Sequence, residues 1–369
     1  HDIPSFFIKI GDGKEVEVDN GAVTIEHACN IPETITQDIE IFEYENSPTE
    51  IYGYGVINAV LAHEFGHSLG FVDLYNTHNF RPAVGYFDIM DSGGLGLIGY
   101  LSDSSEEIYY IEGGLPILPG AWHRTLSWGE SFENKGILKN INDFSFNEEI
   151  DILPAETKLQ NDNTDTPYFI KFPISETEYL LIENRQVDPD GDGGTAIKVS
   201  NDERVFLYPT NNNDNPFDTL ATYEYDYLLP GWLDYSSNAY GGGLLIWHID
   251  NQILSENNNY ANNSINTSYS NRAVKIIEAD NIQDIGNLYS AYWRGTAYET
   301  YFKFKPLLDD SGFFMGWDDI SSGGEYTGIF NNELSAYSEP QLKTNTNNPI
   351  LFSIYDISSY AIGNNQERI

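Results

Sequence analysis

The chain carries one cysteine, Cys29, among 369 residues, so no intrachain disulfide can form. That says nothing of compartment, because calcium can hold an exported fold together as disulfides do. Basic residues are scarce: 18 Lys and Arg stand against 57 Asp and Glu, a formal net charge of −39. Such a surface repels phosphate backbones and anionic lipid, which argues against nucleic acid and membrane surfaces as partners; divalent cations are attracted instead. Long apolar runs are missing too. The best candidate, the VINAVLA of residues 56–62, contains Asn58 and runs into His63 and Glu64, well short of the roughly 18–20 residues that span a bilayer. No membrane span is expected, and the chain should be soluble. Neither a Gly-x-Ser-x-Gly elbow nor a phosphate-binding glycine loop with lysine occurs. The first residue is His1 rather than Met, so the lack of an export signal carries no information.

What is present suffices for a sizeable core. Hydrophobic residues make up 40% and aromatics 14%, which argues against wholesale disorder and fits two or three domains. The first third mixes signals. GKEVEVDN and AVTIEHA alternate as half-buried strands do, and Ser47-Pro48-Thr49-Glu50 reads as a helix start, with a capping box and proline at the first helical position. Gly53 and Gly55 weaken those first turns, so the regular helix is expected nearer Val56, running through NAVLAHEFGHSL to a stop at Gly70. From about residue 140 short β-branched and aromatic runs recur between polar turns: EIDILPA, PYFIKFPI, EYLLIENRQ, GGLLIWHID, AVKIIEAD and LFSIYDIS. That is an all-β pattern. The Asn-rich stretch from Asn257 to Ser270 reads as a surface loop.

The segment His63-Glu64-Phe65-Gly66-His67 carries the chemistry. Histidines four apart on a helix project from one face and can bind one zinc. Glu64 follows the first of them and can hold a water on the metal without ligating it. Gly70 permits a left-handed exit from the helix, and that reversal can return Asp73 as a third, carboxylate ligand. His78 and a distant Glu are the other candidates for that place. A fourth position left to water marks a catalytic rather than a structural zinc. At this histidine frequency a chance HExxH is expected only about 0.01 times.

HExxHxxGxxD followed by Leu74-Tyr75, then Tyr86-Phe87-Asp88-Ile89-Met90-Asp91-Ser92-Gly93-Gly94, resembles the immune inhibitor A family of secreted zinc metallopeptidases, of the metzincin group. The likeness continues through Ala121-Trp122-His123, Leu126-Ser127-Trp128-Gly129, Tyr179 to Arg185, and Gly243 to Asp250. It implies zinc bound by His63, His67 and Asp73, Glu64 as general base, Met90 in a tight turn beneath the metal, and a secreted endopeptidase acting on protein or peptide substrates. The family's usual Leu-Pro-Asp reads Phe71-Val72-Asp73 here, which keeps the carboxylate and loses the proline's rigidity. Only 62 residues precede His63, fewer than the strands that family members place there. The expected fold class is therefore α+β: a metzincin-like zinc-helix catalytic domain cut at its N-terminus, residues 1–135, followed by an antiparallel β-rich region, residues 136–369. The rival is a non-catalytic secreted binding or adhesion module with a relic zinc site.

Asp188, Asp190 and Asp192 alternate in a glycine-rich loop whose spacing suits calcium, although the glutamate of a complete EF-hand loop is missing. Tyr75 and Tyr86 are possible donors to an oxyanion. His248 reads as a strand histidine bonded to a neighbour, and Cys29 as inert.

Overall fold

The computed structural model describes residues 6–10, 15–18, 20, 23–25, 27–30, 51–55, 57–101, 108–156, 165–187, 194–199, 204–209, 226–233, 239–301, 304–309, 314–319, 333–357, 360–362 and 366–368. Within them the fold is mixed α and β, with few helices and several sheets. The principal sheet has five strands in the order Val274–Ile276, Gly242–Asp250, Glu178–Gln186, Phe169–Pro173, Leu138–Asn140. Its pairs are antiparallel except the last, where Leu138–Asn140 runs parallel to Phe169–Pro173. The β-rich region is thus mixed rather than purely antiparallel, because the chain returns to the edge from the C-terminal end of a helix instead of through a hairpin.

Period-two alternation sorts the sheet's two faces, and both are covered. Phe169, Leu181, Leu245, Trp247 and Ile249 share one cluster with Ala59, Met90 and Trp122. Their neighbours Ile170, Phe172, Leu180, Ile182, Leu244 and Ile246 point the other way, onto Tyr301, Leu334 and Leu342. Burial on both faces explains why EYLLIENRQ and GGLLIWHID read as near-continuous apolar runs. The first cluster joins residues on both sides of the 135/136 boundary into one core.

Helix α1 spans Asn58–Ser68 and α2 spans Ala121–Asn134. The helix start expected at Ser47 is not where α1 begins. Residues 31–50 lie outside the described residues, and Ile51–Gly55 is a strand, parallel to Ile108–Glu112. Alternating β-branched and aromatic residues around Gly53 favour extended chain over helix, a preference that the capping-box reading overlooked. EIDILPA also fails to form a strand; only Pro154 bridges, to Asn184. No helix among the described residues is long and apolar enough to cross a membrane.

A buried charged cluster fastens the sheet to α2. Arg185 is fully buried and donates from Nη2 to Asp226 Oδ1 at 2.6 Å, from Nη1 to Glu183 Oε1 at 3.2 Å, and from Nη1 to the Phe87 carbonyl at 3.1 Å. Glu183 Oε1 also accepts from Trp247 Nε1 (2.8 Å) and from the first amide of α2, Ala121 (3.2 Å). Burial works against the charge on Arg185, yet Asp226 and Glu183 hold its pKa well above the ordinary value. Burial would raise Asp226, but Arg185 keeps it below the usual carboxylate range. Removing one partner of such a network leaves uncompensated charge in the interior, which costs about 3–5 kcal/mol. Arg185→Ala should lower the unfolding free energy from urea titration by that amount, read by tryptophan fluorescence, whereas Glu130→Ala on the exposed face of α2 should stay within about 0.5 kcal/mol of the parent.

Candidate metal centre

Helix α1 presents His63 and His67 on one face, with ring centroids 5.0 Å apart. Each Nδ1 sits against a backbone carbonyl: His63 against Ile89 at 3.0 Å and His67 against Phe71 at 2.9 Å. A carbonyl can only accept, so both Nδ1 atoms carry hydrogen, and in the neutral ring each Nε2 is left with a free lone pair. Both Nε2 atoms face the same atom. Asp73 Oδ1 lies 3.1 Å from His63 Nε2 and 3.5 Å from His67 Nε2. That oxygen is buried, yet it has no partner in hydrogen-bond alignment. Two imidazole nitrogens and a carboxylate oxygen, all within 4.8 Å of one another, converge on one point. This donor set, with a buried oxygen lacking a proton to accept, fits a zinc ion held by three protein ligands.

The return of Asp73 follows from local backbone. Gly70 has φ +90°, where a side chain would be strained, and it turns the chain out of α1 as the sequence implied. Asp73 is then gripped by Asn263. Its amide donates to Asn263 Oδ1 (2.7 Å), and its Oδ2 accepts from Asn263 Nδ2 (2.5 Å), which aims Oδ1 at the histidines. Asn263 belongs to the stretch expected to be a surface loop. Most of that stretch is exposed, as expected, but Ile265 and Asn266 are buried, Asn266 Nδ2 donates to the Leu74 carbonyl (2.9 Å), and Tyr260 OH donates to the Gly70 carbonyl (2.5 Å), so the loop wraps the exit of α1.

Met90 is fully buried beneath the helix, its carbonyl accepting from the Leu74 amide at 2.9 Å. A Cβ on Gly66 would lie 2.8 Å from Met90 Sδ and 3.0 Å from the Phe71 ring, so glycine lets helix and turn approach. Asp88 sets that turn. Its Oδ1 accepts from the Met90 amide (2.7 Å), and its Oδ2 takes the Gly120 amide (2.7 Å) and His123 Nδ1 (2.9 Å). Neither Asp88 nor His123 was given a role on sequence grounds, although both lie in the segments that carry the family likeness.

Glu64 is buried in α1 next to His63, and its Oε2 has no hydrogen-bond partner. Tyr75 stacks on His63 at 6.4 Å; burial first, then the charge of Asp73, raises its pKa above that of an ordinary phenol. Tyr86 lies in the turn Gly85–Phe87, its amide bonded to the Arg294 carbonyl at 2.9 Å. His78 is exposed and stands outside the cluster. His248 Nε2 pairs with Glu178 Oε2 at 2.7 Å, the neighbourly role expected of it. The exposed Cys29 has its Sγ 3.6 Å from the Glu64 backbone carbonyl. Asp188, Asp190 and Asp192 fall outside the described residues. Burial alone would lower His63, but the neighbouring Asp73 carboxylate carries its pKa upward; burial would raise Asp73, but the adjacent histidines hold it below its ordinary value.

No protein-family model, curated protein or solved structure matches the chain.

Asn263→Ala should leave all three candidate ligands in place but free the Asp73 carboxylate to rotate. Loss of such an outer partner typically costs about 10–100-fold in metal affinity. A competition titration with a zinc-binding dye should show that drop, and unchanged affinity would mean that Asn263 does not orient the site.

Proposed function

We propose that the chain is a zinc-dependent endopeptidase, its zinc held by His63, His67 and Asp73, of the metzincin-like, secreted kind that its motifs resemble. The single observation that carries this reading is the convergence of two Nε2 lone pairs on a buried, unpartnered Asp73 oxygen, with Glu64 next to His63 and its buried Oε2 also without a partner. Zinc bound there supplies a Lewis acid that polarises a peptide carbonyl and brings the pKa of water towards about 7. Glu64 is the base for that water: its Oε2 is free to accept the proton as the water attacks, and it returns the proton to the leaving amine. The Ile89 and Phe71 carbonyls keep both imidazoles in the tautomer that offers Nε2. Of Tyr75 and Tyr86, we take Tyr75, which packs on His63, as the candidate donor to a developing oxyanion. Partial exposure of both histidines leaves a side of the centre open to a protein or peptide substrate. The acidic surface and the likeness to exported peptidases support an extracellular location.

Glu64→Ala should retain one zinc per chain by atomic absorption and lose about 10²–10⁴-fold in casein cleavage, the usual contribution of a general base. A chelator such as 1,10-phenanthroline should abolish cleavage in the parent, and added zinc should restore it. Casein cleavage by zinc-loaded Glu64→Ala at the parent rate would overturn the assignment of the base. A zinc-loaded parent that cleaves nothing would favour the binding-module alternative.

A further inference from the structure

A second cluster of ionisable groups lies away from the zinc helix. Glu278, Asp280 and Glu299 are buried and each offers a carboxylate oxygen, all within 4.8 Å of one another. Asp284, also buried, stands close enough for its charge to bear on all three. One oxygen of each of the three is occupied by the local backbone or by a hydroxyl. Glu278 Oε2 accepts from the Asp284 and Ile285 amides (2.8 and 3.2 Å), Asp280 Oδ1 from the Ile282 amide (2.9 Å), and Glu299 Oε1 from Thr296 Oγ1 (3.0 Å). The other oxygen of Glu299, a residue with no exposed surface, is buried without any partner, and so is Asp284 Oδ1. The nearby cation Arg272 spends its guanidinium on the Ala83 and Ile285 carbonyls, at 2.9 and 2.8 Å.

We propose that Glu278, Asp280 and Glu299, with Asp284 beside them, form a binding site for one calcium ion. Three carboxylates buried within 4.8 Å of one another, with a fourth nearby, cannot all stay charged without a counter-ion. Left alone they keep protons: burial first, then their mutual repulsion, takes Glu299 up to about 9, while burial takes Glu278 to about 8 and Asp280 to about 6. A divalent cation replaces those protons. The donors of the cluster are oxygens only, which selects a hard ion over zinc. Several carboxylates in an irregular, buried arrangement suit calcium, which accepts six to eight oxygens with loose geometry, better than magnesium, which keeps its waters in a strict octahedron.

The ion would close a long excursion of the chain. Ile277 and Tyr301 both pair with the Gly242–Asp250 strand, through the Ile246 carbonyl (2.9 Å) and Leu244. Between them the excursion reaches the segment leading to Met90, where the Tyr86 amide donates to Arg294 and Arg81 Nε to Gly286. Calcium here would therefore brace the floor of the zinc helix from outside the zinc site.

The test uses the full chain, stripped with a calcium chelator and returned to calcium or magnesium at about pH 8. Bound calcium is counted by equilibrium dialysis, and melting is followed in parallel. Neither readout needs peptidase activity, so failure here leaves the zinc reading untouched. The parent should bind calcium and melt about 3–4 °C higher at a hundredfold excess over the dissociation constant, with magnesium giving far less. Glu299→Gln should bind one calcium fewer per chain and lose that rise. Should Glu299→Gln not fold, Asp280→Asn carries the same comparison. Equal calcium counts in parent and variant would overturn the proposal, and so would a parent that takes up none.

Discussion

The return of Asp73 onto α1 is the constraint around which the rest of the centre is arranged. Two histidines a helical turn apart define a line of approach but not a point; the carboxylate oxygen at 3.1 and 3.5 Å defines the point. Placing it needs a left-handed residue at Gly70, a helix that ends at Ser68, and an amide side chain reaching in from Asn263. The two imidazoles are fixed independently, through carbonyls of Ile89 and Phe71, so the segment that carries Met90 also sets a histidine's tautomer. The candidate metal donors and their supports thus come from three separate stretches of chain.

Behind this centre the interior is unusually polar. Asp88 gathers the Met90 amide, the start of α2 and His123 on one carboxylate. Arg185, Glu183 and Asp226 join the sheet to the same helix and to Phe87. Buried ions of this kind add little net stability, because desolvation offsets most of the attraction, yet a partly satisfied arrangement is strongly penalised. Their effect is to restrict how the sheet, α2 and the turn beneath the zinc helix can dock. Positional accuracy at the centre rests on that restriction.

Legibility in the sequence followed the range of the interactions involved. His63, Glu64, His67, Gly70 and Asp73 could be grouped because helix spacing and a glycine turn are local rules. EYLLIENRQ and GGLLIWHID are legible as strands because short β-branched and aromatic runs between polar turns are a local mark. Asn263 could not be found: it acts on Asp73 across 190 positions, and an asparagine in an Asn-rich stretch carries no local mark. Glu299 and Asp280 escaped notice for the same reason, since their meeting depends on an excursion pinned to the sheet at both ends. The strand at Ile51–Gly55 was misjudged where two local signals competed and pairing with Ile108–Glu112 decided the outcome.

The most direct measurement of the central claim is an anomalous difference map from crystals of the zinc-loaded chain, recorded on either side of the zinc edge. The account predicts one strong peak about 2.0–2.1 Å from the Nε2 atoms of His63 and His67 and about 2.0–2.2 Å from a carboxylate oxygen of Asp73. A peak coordinated by His78 or a distal glutamate in place of Asp73, or no peak beside α1 at saturating zinc, would contradict it.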